Sequence, residues 1–373
     1  MDYSDLYEEL KSVFNENAPE IPLPGGMTIR NIEFRSAGPG EGFANPGDPA
    51  IPENFSFSYP VFCPANSGNK VILLLHGLNE RSWIKYLAWA YTLSERCSAY
   101  VVLFPISFHI NRTPETWRNP RAMTDYLTLR NTIIGKVSDS SFANIALSNR
   151  LTDDPLRFFY SGHQTVNDIV SLFGEVNSGS HPVIPAGCRV DIFAYSIGAF
   201  LSQILMMGNP ENLFSGSKLF LFCGGSVFSR MNGSSKLIMD QRAFERVYSY
   251  YLNDFEGEIK GKNSFSEFLH NSRIGLAFRS MIDTGRLINF RESLLEKLRE
   301  QISIVALEKD TVIPVPGILD TMKASRKKNI VRVMDFPYQY AHENPFPILK
   351  DSKRKHVDSS FSQAFDLAAG FLE

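Results

Sequence analysis

The sequence predicts an α/β fold: a mostly parallel, doubly wound sheet with antiparallel strands at its N-terminal edge and a helical insertion late in the chain. Three observations carry this. Short continuous apolar runs recur along the 373 residues, as expected of strands buried on both faces. Helical patterns fall between them, which places helices on both sides of one sheet. One apolar run, 190–194, passes through a single serine directly into a helical pattern at 197–207.

Taken in order, residues 3–14 predict a short amphipathic helix and 15–26 a Pro/Gly-rich connection. Segments 27–35 and 55–62 alternate as antiparallel edge strands do, with a loop over 38–52 between them. Buried strands follow at 71–75, 100–104, 190–194, 219–223, 302–307 and 330–334. Helices are predicted at 83–96, 165–176, 197–207, 316–325 and 361–372.

Two stretches are too long to be simple connections: 106–162, and 226–300 with helical patterns at 239–252, 265–278 and 291–301. The chain therefore divides into an N-terminal helix and linker (1–26), a core (27–225 and 301–373, with the insertion 106–162) and a helical cap (226–300). Apolar positions of the cap, among them Phe244, Val247, Tyr251, Leu269, Ile274 and Phe278, need a surface to cover. The mouth of a site at the sheet edge is the expected one.

Composition narrows the function. With 43% hydrophobic residues and 29 phenylalanines the chain can bury a large core, which excludes a disordered protein. A net charge of −2 gives no electrostatic footprint for nucleic acid. The basic clusters 323–328 and 350–355 read as solvated surface. Cys63, Cys97, Cys188 and Cys223 lack metal or redox spacing, so free thiols and no metal are expected. No apolar run approaches a membrane span, and the acidic N-terminus lacks a secretory leader pattern. The expectation is a cytoplasmic protein.

The serine between strand and helix is Ser196, with Ala194 two residues before it and Gly198 two after. A tight strand-to-helix turn closes only if its flanking positions carry almost no side chain. It holds its central residue in a strained conformation, hydroxyl raised above the sheet edge. The helix behind it directs N–H groups at any negative charge that develops there. A helix N-cap serine after a core strand would share part of this pattern.

A serine hydroxyl becomes a nucleophile only when a base removes its proton, so a histidine oriented by a carboxylate is required. With such an elbow the chain order is serine, acid, histidine. Asp310, just beyond the run 302–307, is the preferred acid, with Glu308 as an alternative; Asp335 follows the wrong strand. His342, past the strand at 330–334, is the preferred base, and His356 could reach the site if its loop folds back.

The run Val71-Ile72-Leu73-Leu74-Leu75-His76-Gly77-Leu78 is similar to the oxyanion-loop motif of the α/β-hydrolases, and Asp310-Thr311-Val312-Ile313-Pro314 to their acid loop. Over residues 55–373 the chain resembles that superfamily. Tyr195-Ser196-Ile197-Gly198 and the stretch from Phe104 to Arg112 resemble a poorly characterised bacterial branch of it. Ala194 stands where glycine is commoner, a sterically tolerable departure.

The resemblance implies an oxyanion hole made by the N–H groups of Ile197 and Leu78, with His76 propping the loop. It implies a serine hydrolase that cleaves a small-molecule ester, thioester or amide through an acyl-enzyme, without cofactor. His109 and Arg112, after the strand at 100–104, are candidate substrate-binding residues; Arg112 could clamp a carboxylate or phosphate. The preferred alternative is that it pairs with an acidic residue of the 226–300 insertion or bonds backbone carbonyls. A catalytically silent binding protein of the same fold is the alternative.

Overall fold

The computed structural model describes residues 1–373 except 67, 324–329 and 351. Its centre is a nine-stranded sheet of β1 (Glu20–Pro22), β2 (Thr28–Arg35), β3 (Ser56–Cys63), β4 (Lys70–Leu75), β5 (Tyr100–Leu103), β6 (Arg189–Tyr195), β7 (Leu219–Phe222), β8 (Ile302–Leu307) and β9 (Val331–Met334). The spatial order is β1-β2-β3-β5-β4-β6-β7-β8-β9. β1, β2 and β3 join antiparallel, and every pair from β5 to β9 is parallel.

Alternation along the strands sorts the core into two faces. Ile72, Leu74, Phe193, Tyr195, Phe220 and Phe222 pack beneath α1 (Tyr3–Val13), α2 (Ile84–Cys97) and the C-terminal helix Arg354–Leu372. Leu73, Leu75, Ile192, Ala194, Leu219 and Leu221 face the other way, beneath the helices Arg157–Ser178 and Ile197–Gly208 and the segment 226–300. Trp89 of α2 anchors the first layer, edge-on to Phe193, Tyr195, Phe222 and Phe365. Among the described residues no helix is long and apolar enough to cross a membrane.

Several elements differ from the sequence expectation. Part of the predicted linker 15–26 is the edge strand β1, where Ile21 is buried and pairs with Ile29; Pro22 is tolerated because an edge strand has an unused N–H side. The helix predicted at 165–176 begins at Arg157, since Phe159 and His163 continue its buried face. The C-terminal helix begins at Arg354, not 361. Its first turns are polar, and Asp358 there accepts the amide and hydroxyl of Ser4 at 2.8 and 2.6 Å.

The pattern at 265–278 is two helices, broken where the Ser272 hydroxyl accepts the Gly275 amide at 2.9 Å. A Cβ on Gly275 would sit 2.4 Å from the Phe268 carbonyl oxygen, so only glycine lets the second helix fold back. The predicted helix over 316–325 is observed as Val315–Thr321, and both it and the basic stretch 323–328 run into residues outside those described. The basic stretch 350–355 includes one such residue, 351.

The two long insertions are joined to each other. The buried carboxylate of Asp240 pairs with Arg130 at 2.9 Å, accepts the Ser140 hydroxyl at 2.6 Å and caps its own helix through the Ala243 amide. Helix Gln241–Ser249 packs on Ile145–Asp153, and Arg273–Ser280 packs on Ile197–Gly208. The apolar side chains of 226–300, including Val247, Tyr251, Leu269 and Phe278, belong to the same core as the sheet face beneath them.

Buried imidazoles give this core an acid sensitivity. His181 Nδ1 accepts the amides of Val183 and Ile184 at 3.2 and 2.9 Å, and Nε2 lies 2.9 Å from the Tyr59 hydroxyl. A proton on Nδ1 would face two donors. Burial lowers its pKa from 6.5 to about 4, and does the same at His109 and His163. The unfolded chain takes up these protons below about 6.5, whereas the folded chain resists them. This stability is complete above the unfolded pKa and is lost as pH falls towards the folded one. We expect the denaturation midpoint to drop between about pH 6.5 and about pH 4.5, less steeply in His181→Asn; equal slopes in both proteins would contradict the neutral buried ring.

Candidate active site

β6 ends at Tyr195, and Ser196 turns the chain with φ 59° and ψ −120° into the helix that starts at Ile197. Positive φ at a residue with a Cβ is strained and must be held by its surroundings. Gly198 supplies one restraint: a Cβ there would lie 2.6 Å from the Leu75 carbonyl oxygen and 2.8 Å from that of His76. The helix thus rests directly on the end of β4, and the Gly198 amide donates to the His76 carbonyl at 3.1 Å. Ala194 is fully buried between Leu75 and Leu221 of the neighbouring strands.

Ser196 Oγ lies 2.6 Å from His342 Nε2, and His342 Nδ1 lies 2.7 Å from Asp310 Oδ2. The other carboxylate oxygen, Oδ1, accepts the amides of Val312 and Ile313 at 2.9 and 2.8 Å, which prevents the carboxylate from turning. A carboxylate can only accept, so Nδ1 carries the proton and Nε2 of the neutral ring is the acceptor facing the serine. The structure brings together Ser196, Asp310 and His342, all buried. It leaves the alternatives outside: Glu308 and His356 are exposed, and Asp335 pairs with Lys309 at 2.7 Å on the surface.

His76 is also fully partnered. Its Nδ1 donates to the Gly77 carbonyl at 2.8 Å and its Nε2 accepts the Ile106 amide at 2.9 Å. Fixing that carbonyl fixes the planar peptide to Leu78, and in a trans peptide the N–H points opposite to the C=O. The Leu78 amide therefore faces away from His76. Ile197 opens its helix, so its amide has no intrahelical partner.

A polar network not anticipated from the sequence holds these loops. Tyr195 donates its hydroxyl to the His342 backbone carbonyl, its ring stacked at 5.5 Å on the imidazole. Tyr86 accepts the Gly77 amide at 2.9 Å and donates to Glu80 at 2.7 Å. Lys85 pairs with Glu80 and donates to the Glu343 carbonyl at 3.1 Å. The available signal was position: Glu80, Lys85 and Tyr86 immediately follow the loop 76–78.

Two spaces open near the serine turn, one bordered by Ser196 itself and the other by the adjacent Ile197. One is a narrow apolar pocket of about 70 Å³, walled by Leu78, Ile197, Phe158, Phe200, Ile274 and Phe278. The other is a more polar cleft of about 250 Å³ bordered by Ser196, His342, Glu80, Leu237 and Ile238, with Leu78 shared. Both insertions contribute walls, and 106–162 supplies more of the apolar pocket than 226–300 does. His109 lines that pocket. Among the described residues no group of three His, Cys, Asp or Glu side chains is placed to hold a metal ion, and the four cysteines are unpaired.

Arg112 is not placed as a substrate clamp; the structure shows the other reading, an ion pair with backbone carbonyl bonds, although its acid, Asp168, lies outside 226–300. Arg112 is completely buried and borders neither space. Its guanidinium pairs with Asp168 at 2.8 Å, donates to Pro105 and Asn54 carbonyls at 3.1 and 2.9 Å and to the Asn54 side chain at 3.1 Å, and stacks on Phe57. Burial lowers the Arg112 pKa to about 10 and raises that of Asp168, so each charge depends on the other. Removing one partner of such a pair costs about 3–5 kcal/mol. Arg112→Met should lose that much in denaturant titration; a stable variant with impaired substrate binding would restore the clamp.

In fold the chain is similar to solved α/β structures that are described as esterases. It is similar to a mutant of the esterase rPPE, with a TM-score of 0.50 and 11% identity over 100% of this chain and 91% of that one. A thermostable esterase from Pseudomonas putida ECU1011 matches at 0.49 and 11% identity, over 100% and 91% of the two chains. Residues 41–373 match the sequence profile of a family of unknown function, DUF6051, and the chain belongs to that family. A comparison with curated proteins returned no match.

Proposed function

We propose that this chain is a serine hydrolase of the α/β-hydrolase type, acting on a small-molecule ester, thioester or amide. The observation that carries the reading is the hydrogen-bonded series Ser196–His342–Asp310, at 2.6 and 2.7 Å, on a strained elbow. In this reading Ser196 Oγ attacks the acyl carbon and its proton passes to His342 Nε2. Asp310 holds the imidazole tautomer and stabilises the imidazolium. The amides of Leu78 and Ile197 receive the oxyanion. The tetrahedral intermediate collapses as His342 returns the proton to the departing alcohol, thiol or amine. Water then attacks the acyl-enzyme, giving a proton to His342, and Ser196 recovers it as the acid leaves.

The two spaces take opposite ends of the substrate. A leaving group must be protonated by His342, so it belongs in the polar cleft that His342 borders. The acyl group then lies across the Leu78 and Ile197 amides, in the apolar pocket. In this reading 226–300 is a cap that closes over the site together with 106–162, excluding water from the acyl-enzyme.

Ser196→Ala should abolish hydrolysis of short-chain aryl esters, by on the order of 10⁴-fold or more, with a melting temperature close to that of the native protein. Near-native turnover would remove Ser196 from the mechanism. Asp310→Asn should lower kcat by about 10⁴ because the amide favours the wrong imidazole tautomer. A larger defect in Glu308→Gln would move the acid there.

A further inference from the structure

His109 stands in the apolar pocket with a definite polarity. It is 4% exposed and forms part of the wall. Its Nδ1 lies 2.9 Å from the Ser107 carbonyl, which can only accept, so Nδ1 carries the proton. In the neutral ring Nε2 is then a bare acceptor. Among the described residues nothing donates to it. The neighbouring His76 ring, 5.2 Å away, has both nitrogens satisfied.

Burial, with Arg112 and Arg150 nearby, keeps His109 neutral, its pKa lowered to about 4. Of the other polar groups of the wall, only His163 keeps a ring nitrogen, Nδ1, without a hydrogen-bond partner among the described residues. Arg150 and Arg157 turn to Asp48, and the Ser161 hydroxyl donates to the Ser107 carbonyl. An acceptor left unmet in an apolar wall penalises any ligand that offers it only methylene groups.

We propose that His109 sets acyl specificity, its Nε2 accepting a hydrogen bond from a hydroxyl or amide N–H on the acyl group, so that the favoured substrates are hydroxyacyl or acylamino derivatives rather than plain alkyl esters. This rests on the hydrolase reading and on the placement of the acyl group in the apolar pocket. A matched donor should be preferred over its alkyl or capped counterpart by roughly ten- to a hundred-fold in kcat/KM.

The test compares aryl esters of butyrate, 2-hydroxybutyrate, 3-hydroxybutyrate and the two corresponding methyl ethers, on the full chain and on His109→Leu and His109→Gln. The methyl ether keeps the acceptor oxygen and removes the donor, so the hydroxyl-to-ether ratio reads the proposed bond. We expect the wild type to favour one hydroxy ester over its ether by that factor. His109→Leu should bring the ratio towards one, and His109→Gln, whose side-chain carbonyl still accepts, should keep part of it. A wild-type ratio near one overturns the proposal, and this comparison decides the matter even if the variants fail to fold. A ratio unchanged in His109→Leu also overturns it, as it would if water alone satisfies Nε2. Ser196-dependent turnover of butyrate without donor preference defeats this proposal alone; no Ser196-dependent turnover of any ester, thioester or amide defeats the hydrolase reading and this proposal together.

Discussion

The contact between the first turn of the elbow helix and the end of β4 is the constraint on which the site depends. Gly198 sits where any Cβ would collide with the Leu75 and His76 carbonyls, and its amide bonds the latter. That contact holds Ser196 at positive φ, and it ties the serine turn to the loop that carries Gly77 and Leu78. Two backbone segments far apart in sequence are thereby fixed relative to each other without side-chain intermediaries. Side chains could rotate; these peptide groups cannot.

The imidazole comes from a third segment, and it is positioned differently. The loop around His342 has no regular secondary structure, so it is held by polar contacts with its neighbours. Tyr195, one residue before the serine, holds its backbone carbonyl. Lys85 holds the next carbonyl, while Tyr86, which donates to Glu80, holds the Gly77 amide. Ser235, from the 226–300 segment, donates to the Glu343 carboxylate. The serine turn, the loop 76–78, the histidine loop and the insertion therefore meet in one hydrogen-bonded set. Preorganisation of this kind is what electrostatic stabilisation of a developing charge requires.

How much of this could be read from the chain depended on the range of the interactions. The parallel strands were legible because burial on both faces makes their sequences continuously apolar, as in Val71–Leu75 and Ile302–Leu307. The elbow was legible because its demands are local, confined to Ala194, Ser196 and Gly198. Asp310 and His342 were legible as candidates because the ends of β8 and β9 lie at one sheet edge. Glu308, at the same strand end, is separated from Asp310 only by the folded loop, which buries Asp310 and exposes Glu308. Arg112 could not be decided from sequence, since its partners Asp168 and Asn54 are distant in the chain and meet it only in the folded core. The break at Ser272 was hidden because both helices present apolar residues at helical spacing. The joining of the two insertions at Asp240 left no local trace either, as it relies on Arg130 and Ser140 from another segment.

The central claim is that Ser196 is a nucleophile activated by His342 and Asp310. The most direct measurement is intact-mass and peptide-level mass spectrometry after exposure to a fluorophosphonate, which reacts with activated serines whatever the natural substrate. The account predicts one adduct, on the peptide containing Ser196, absent in Ser196→Ala and formed much more slowly in His342→Ala. A folded protein that takes up no adduct, or one labelled at another serine while Ser196 stays unmodified, would contradict it.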